Sequence, residues 1–151
     1  MPLSLLLTAK DEAEFAGMLA QAIARGPILI KNNAGTIPLI FFGGFTDCLL
    51  PASAMDQVRV MELQADTTAV LAMSRAGFDP AALLRYVERV QPPDQPHSPF
   101  PARAARVAAL RETIRDLPPA TYAQSDEFYR IQERARPAPP KPQPPPSLLS
   151  K

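Results

Sequence analysis

Histidine and cysteine, two common ligands of transition metals, are scarce in this sequence. The 151 residues contain one histidine, His97, and one cysteine, Cys48. A metal site that takes two or more histidines is therefore excluded within these residues, and so is a disulfide between two of their cysteines. No histidine near Cys48 in the sequence could activate its thiol. We interpret Cys48 as a small apolar residue and His97 as an ordinary loop residue.

Two carboxylates occur at helical spacing in the middle of the chain. Glu62 and Asp66 are four residues apart in a helix predicted over residues 53–75, so their side chains lie on one helix face. The same face carries Ala65 and Ala69, whose small side chains allow another helix to approach closely. The sequence therefore predicts a polar pair on a face that packs against a neighbouring helix.

An earlier helix, predicted over residues 11–25, presents Gln21 and Arg25 at the same spacing. They flank one apolar stripe, the kind of face that a helix turns to a core, made of Phe15, Met18, Leu19, Ala22 and Ile23. The acidic first turn suits the positive end of the helix dipole. Gly26 followed by Pro27 predicts that the helix ends there.

Four blocks of this sequence resemble a known family. They read DEAEFAGMLAQAIAR at residues 11–25, ELQAD at 62–66, AGFDP at 76–80 and FPARAARVAAL at 100–110. Together they resemble the gluzincin-type zinc metallopeptidases that include the CAAX prenyl proteases and the HtpX-like bacterial proteases. The patterns of that family are D-E-x-E-(L/F)-A-G-x-(L/M)-A-H-E-x-x-H, E-x-x-A-D, A-G-(Y/F)-D-P and H-P-x-x-x-x-R. The resemblance covers about residues 5–136.

The first block departs from the family where the family does its chemistry. Gln21 and Arg25 stand at the positions of the two histidine ligands, and Ala22 stands at that of the glutamate base. Gln21 is a weak neutral ligand, whereas Arg25 is a permanent cation and repels a dication. Ala22 cannot transfer a proton. The resemblance therefore implies that no catalytic residue is intact.

The later blocks keep more of the family pattern. Glu62 matches the third zinc ligand, and Asp66 matches the carboxylate that would orient a ligand histidine. Arg106 matches a polar residue near the metal, although a surface position on its helix is equally open. A buried carboxylate needs a cationic partner, so we predict that Arg25 takes the vacant metal position and pairs with Glu62. No cofactor is expected, in contrast to the zinc of the family.

The predicted fold class is mainly α, the helical half of a zincin-like domain. The resemblance implies that the N-terminal sheet of the family is missing and that residues 5–10 correspond to the segment after its last strand. We predict that residues 1–136 form this domain. Residues 137–151 are predicted to be a disordered, proline-rich tail. Its P-x-x-P spacing could bind an aromatic-lined groove or arise from composition alone.

Three further helices are expected along the chain. One is predicted over residues 80–90, preceded by Gly77 as the C-cap of the helix before it and by Asp79 as its own N-cap. Its core side is expected to carry Leu83, Leu84 and Val87. A second is predicted over residues 102–116. A short final helix is expected to begin with Ser125 or Asp126 as its cap.

Charge and hydropathy exclude several classes of protein. The net charge of +1 offers no bulk attraction to nucleic acid. The longest apolar stretch, residues 36–50, is shorter than the roughly 20 residues that a transmembrane helix needs. Its first part, TIPLIFFGG, resembles a segment of one bacterial branch; it is interpreted as core, with a membrane-surface or substrate contact as the alternative. No secretory signal is visible, so the default location is cytoplasmic, although family members are often exported or membrane-associated.

Three functional hypotheses follow from these observations. The first is a metallopeptidase-family domain that has lost zinc and catalysis and keeps a binding or regulatory role toward a peptide or protein partner. The second is an active metalloendopeptidase that completes its site with ligands from outside the chain. The third is a gene fragment without function. A domain without its sheet would expose apolar surface, so self-association is a further expectation.

Overall fold

The structure is a computed structural model that describes residues 3–31, 52–92, 98, 100–122 and 125–136. These residues form helices and connecting turns and contain no strand, so the predicted mainly α class is confirmed. The helices are α1 (Leu3–Thr8), α2 (Glu12–Lys31), α3 (Ala52–Ala76), α4 (Ala81–Val90), α5 (Arg103–Arg115) and α6 (Asp126–Ala135).

Four of these helices form a closed ring of neighbours. Helix α2 packs against α3 and α4, and α5 packs against the same two helices from the other side. The ring encloses a core of large buried side chains, Val70, Met73, Leu83, Val87 and Leu110. Burying each such side chain contributes roughly 1.5–3 kcal/mol relative to leaving it exposed. The predicted core side of α4 is confirmed, with Leu84 packed against this core.

The chain between α3 and α4 turns through a Schellman motif. Gly77 has a φ of +80°, a conformation that favours glycine. The Phe78 amide donates to the Met73 carbonyl at 3.0 Å, which satisfies one of the free carbonyls at the end of α3. Asp79 Oδ1 accepts from the Ala81 amide at 2.9 Å and so caps α4. The roles of Gly77 and Asp79 at these helix ends were predicted correctly. Ser125 was also predicted as a cap, and its side chain accepts a hydrogen bond from the Glu127 amide at the start of α6.

The predicted end of α2 was wrong, because the helix runs through Gly26 and Pro27 to Lys31. Pro27 cannot donate to the carbonyl of Ile23, which normally costs a helix about 3 kcal/mol. Ile23 is 64% exposed, so its side chain does not shield this part of the helix from water. The local stop signal is therefore weaker here than its residue types indicate.

Helix α1 was not predicted; residues 5–10 had been interpreted as the segment after a strand. It joins α6 in a second, smaller cluster, in which Ala9, Met18 and Phe128 are buried. Gln132 of α6 ties the two helices together, since its Nε2 donates to the carbonyls of Leu6 and Ala9 at 3.0 and 2.8 Å.

Several predictions fall on parts of the chain that lie outside the described residues. They concern Cys48, His97, the apolar stretch of residues 36–50 and the tail of residues 137–151. Among the helices that the structure describes, none combines the length and the apolar character needed to cross a membrane.

Helix α2 lies close to two of its neighbours at Gly17. A Cβ atom at this position would lie 3.1 Å from Leu83 Cβ and 3.1 Å from Met73 Sδ. Both distances are shorter than ordinary carbon contacts. The absence of a side chain at Gly17 is therefore what lets α2 touch α3 and α4 together.

We expect Gly17→Leu to lower the free energy of unfolding by about 1–3 kcal/mol, because the new side chain must displace core residues. Gly26 of the same helix provides the control, since a Cβ atom there meets nothing within 4 Å outside its own chain neighbours. Gly26→Leu should change stability by less than about 1 kcal/mol in either direction, because the higher helix propensity of leucine is opposed by the penalty that proline places on the helical conformation of the residue before it. Urea unfolding of the two variants measures the difference. Equal stabilities would contradict the close approach at Gly17.

Candidate functional site

The face that α2 turns inward differs from the predicted apolar stripe. Leu19 is 40% exposed, Ile23 is 64% exposed and Ala22 is also exposed. The inward positions are instead Ala13, Glu14, Gly17, Met18, Gln21 and Ala24. The predicted stripe is confirmed at Met18, which is buried, and at Phe15, which packs against the same cluster, but it is wrong at Leu19, Ala22 and Ile23. Hydrophobicity missed the inward positions Glu14 and Gln21, because these polar side chains are paired in the structure.

The predicted pair of α2 positions meets Glu62 of α3. Glu62 is only 1% exposed. Gln21 Nε2 donates to Glu62 Oε2 at 2.9 Å, and Arg25 Nη2 lies 2.5 Å from Glu62 Oε1. The ion pair predicted between Arg25 and Glu62 is therefore confirmed. Both carboxylate oxygens of Glu62 are engaged by side chains of α2.

An aromatic ring covers the outer side of the Arg25 guanidinium. The Phe100 ring centroid lies 5.8 Å from Arg25 Cζ, within the range of a cation–π contact. In the family pattern, the position of Phe100 is occupied by histidine. A neutral ring with no lone pair for a metal therefore lies beside the cation. The sequence did not predict this contact.

The second carboxylate of α3 has a partner of its own. Asp66 is 1% exposed, and Arg106 of α5 binds it through two parallel hydrogen bonds, Nε to Oδ2 at 2.5 Å and Nη2 to Oδ1 at 2.6 Å. Arg106 Nη1 also donates to Gln91 Oε1 at 3.2 Å. In the family pattern, Asp66 matches the carboxylate that would orient a ligand histidine, and this chain has no histidine at that position. In the structure Asp66 holds Arg106.

The surroundings of Arg106 keep its guanidinium charged. Burial is the largest influence and disfavours the charged form, but the hydrogen bonds and the charge of Asp66, together with the charge of Glu62, outweigh it. The pKa of Arg106 is therefore raised above its ordinary value. The stabilisation that comes from the raised pKa of Arg106 is fully present below the ordinary pKa of arginine and is lost only as the pH rises through the raised value. Arg106 thus stays charged throughout the physiological pH range.

These contacts determine which metal chemistry the cluster can support. Two carboxylates face two guanidinium groups, so their formal charges cancel and no excess negative charge remains for a dication. Arg25 has no lone pair for a metal, and Ala22 points to solvent without an acid or base group. The residues at this site therefore do not fit zinc. Within the described ranges, no group of three or more histidine, cysteine, aspartate or glutamate side chains is placed to hold a metal ion.

A third buried carboxylate lies on α2 outside this cluster. Glu14 is 2% exposed; its Oε2 pairs with Arg89 of α4 and accepts from the Lys10 amide at 2.8 Å. By its position in the sequence, Glu14 belongs to the acidic first turn of α2, where a carboxylate suits the helix dipole. The missed signal is that Glu14 has the spacing of Gly17, Met18 and Gln21, all of which lie on the inward face.

Each side of the four-helix ring thus carries one ion pair between arginine and a carboxylate. The pairs are Arg25–Glu62 between α2 and α3, Arg89–Glu14 between α4 and α2, Arg106–Asp66 between α5 and α3, and Arg111–Glu88 between α5 and α4. In the first three pairs the carboxylate is buried. The fourth pair is exposed on both sides.

One comparison with known proteins gives a match. The sequence model of peptidase family M48 matches residues 4–114, most of the chain, from α1 through nearly all of α5. The match includes both helices that form the Glu62 cluster. No curated protein and no solved structure matches the chain.

Proposed function

Because this chain belongs to peptidase family M48, we propose that it is a metallopeptidase-family domain that has lost zinc binding and catalysis. Its remaining role is binding or regulation, directed at a peptide or protein partner. One observation carries the proposal: the guanidinium of Arg25 lies 2.5 Å from Glu62 Oε1, where a metal-binding side chain would be required.

The chemistry of a zinc peptidase explains why this contact matters. In such an enzyme two side chains of the helix would hold zinc, which would supply a water acidic enough to act at neutral pH, and a carboxylate on the same helix would accept the proton. Such general-base assistance is typically worth roughly 10²–10⁴ in rate. Here Gln21 donates its amide N–H to Glu62 instead of offering a lone pair. Ala22 has no proton-transferring group, so none of the three α2 positions supplies the chemistry of the family.

The persistence of the helical framework supports a role in binding. The buried face of α3 keeps Glu62 and Asp66 fully engaged, and α2 still packs on it through Gly17. A domain with a formed core can recognise a partner without a reaction centre. We propose a peptide or another protein as that partner, which includes a second copy of the chain.

The proposal is tested by metal analysis and a cleavage assay on the purified protein. We expect the protein to contain zinc well below one equivalent and to show no chelator-sensitive cleavage of casein. The variant Gln21→His/Ala22→Glu/Arg25→His, measured in parallel, controls for the detection of zinc. Stoichiometric zinc together with chelator-sensitive cleavage by the unmodified protein would refute the proposal. Cleavage that requires an added protein would favour an active enzyme completed by outside ligands.

A further inference from the structure

The burial of Glu62 creates a physical requirement for positive charge. A carboxylate that is 1% exposed has lost nearly all of its hydration, and an ionised group in that state is strongly destabilised unless it is paired and hydrogen-bonded. Gln21 satisfies one oxygen of Glu62 but carries no charge. The amide alone therefore leaves the negative charge uncompensated.

Arg25 is the cation in direct contact with that charge. Its Nη2 lies 2.5 Å from Glu62 Oε1, and its side chain is 28% exposed, so the pair sits at the edge of the core and not in open solvent. The Phe100 ring covers the guanidinium at 5.8 Å, and the ring face favours a cation there. Partial burial and an aromatic cover both make such a pair stronger than an exposed one.

The neighbouring pair does not make Arg25 redundant. Arg106 is held by Asp66 through two hydrogen bonds and by Gln91 through a third. It contributes to the field around Glu62, but its hydrogen bonds to carboxylate go to Asp66. Removing Arg25 would therefore leave Glu62 with an amide partner and a more distant charge.

We propose that the guanidinium of Arg25 is a built-in substitute for a metal ion: it provides the positive charge that Glu62 needs in the core and so fastens α2 to α3. The substitution follows from the misfit between this cluster and zinc. It rests on the proposed function in one respect, namely that the wild-type site is free of zinc. The pair then stabilises the fold independently of metal, where a metal-binding site would make stability depend on metal supply.

The first test is thermal unfolding of variants at this pair, with zinc and with a chelator. We expect the Tm of the wild type to be the same in both conditions. Arg25→Met should lower the Tm by roughly 10 °C, the size expected when one partner of a buried pair is removed from a domain of this length. Arg25→Met/Glu62→Gln should recover at least half of that loss, because the stranded charge is gone. Arg75→Met, at an exposed arginine in the last turn of α3, is the control and should shift the Tm by no more than about 2 °C.

The outcomes separate this inference from the proposed function. A Tm for Arg25→Met within about 2 °C of the wild type would overturn the inference alone. A double variant no more stable than Arg25→Met, or unable to fold, would also overturn it, because the loss would then not come from the stranded charge. A wild-type Tm that rises with zinc, or zinc found at one equivalent, would instead contradict the proposed function.

The second test restores metal-binding side chains. Gln21→His/Arg25→His places two imidazoles four residues apart on α2, opposite Glu62, and gives three protein ligands for zinc. We expect the Tm of this variant to rise by several degrees with excess zinc and to return to its starting value with a chelator. Circular dichroism confirms that the variant is folded. If the double variant is folded but its Tm does not change when zinc is added, the claim that the guanidinium stands in the place of a metal is contradicted.

Discussion

Arg106→Ala is expected to lower the free energy of unfolding by about 3–5 kcal/mol, the largest effect of any single substitution considered for this protein. The variant removes two hydrogen bonds to Asp66, whose carboxylate is 1% exposed and would remain in the core without its cation. It also removes the hydrogen bond from Arg106 Nη1 to Gln91 Oε1, although Gln91 keeps its bond to the Pro101 carbonyl. Urea unfolding followed by circular dichroism measures the loss.

Arg111 of the same helix is the matched control. It pairs with Glu88 at 2.6 Å, but the two side chains are 64% and 40% exposed. Exposed ion pairs contribute little, so Arg111→Ala should cost less than about 1 kcal/mol. Losses of similar size for the two variants would show that α5 responds to the removal of any arginine, and would count against a special role for the Asp66 pair.

Glu14→Ala is expected to cost about 3 kcal/mol of stability. The substitution leaves Arg89 without the carboxylate it pairs with and the Lys10 amide without its acceptor, at the point where α2 meets α4. Arg89 keeps only its contact with the Thr8 carbonyl at 3.2 Å and its position over the Tyr86 ring.

Glu12 in the same first turn distinguishes burial from the helix dipole. Both glutamates lie near the positive end of α2, where a carboxylate is worth about 0.3–1 kcal/mol. If the dipole were the main role of Glu14, Glu12→Ala and Glu14→Ala would be equally mild. We expect Glu12→Ala to stay below about 1 kcal/mol and Glu14→Ala to be several times larger in the same urea experiment.

The sequence predicted the helices well wherever their ends carry specific residues. Gly77 and Asp79 place the end of α3 and the start of α4, since a positive φ and a side-chain cap have few other causes. It failed at Gly26 and Pro27, where the stop signal is a propensity that the observed helix overrides. The sequence also failed to predict α1. This helix is six residues long and has neither acidic residues in its first turn nor basic residues in its last turn to indicate a helix.

The candidate site was predicted in part, and for a physical reason. The ion pair of Arg25 with Glu62 followed from one rule, that a buried carboxylate needs a cation. The family pattern supplied the partner, since it puts Arg25 and Glu62 at two positions that bind one metal ion. The same rule applies to Asp66 and Glu14, but no ligand pattern connects them with Arg106 and Arg89. The inward face of α2 was misjudged because Gln21 and Glu14 count as polar in any hydrophobic pattern, whereas their partners make them core residues.

The arginine pairs on the ring also bear on how uniquely the helices dock. Gly17 fixes the position of α2 by shape, since a slip of α2 by one turn along α3 would bring a residue with a side chain into the space that only glycine fits. Such a slip would carry Arg25 about 5.4 Å along the helix axis, away from Glu62, and would separate Glu14 from Arg89 at the same time. The charges therefore add to the register that Gly17 sets by shape, and a misaligned packing of this bundle would leave buried carboxylates without their arginines.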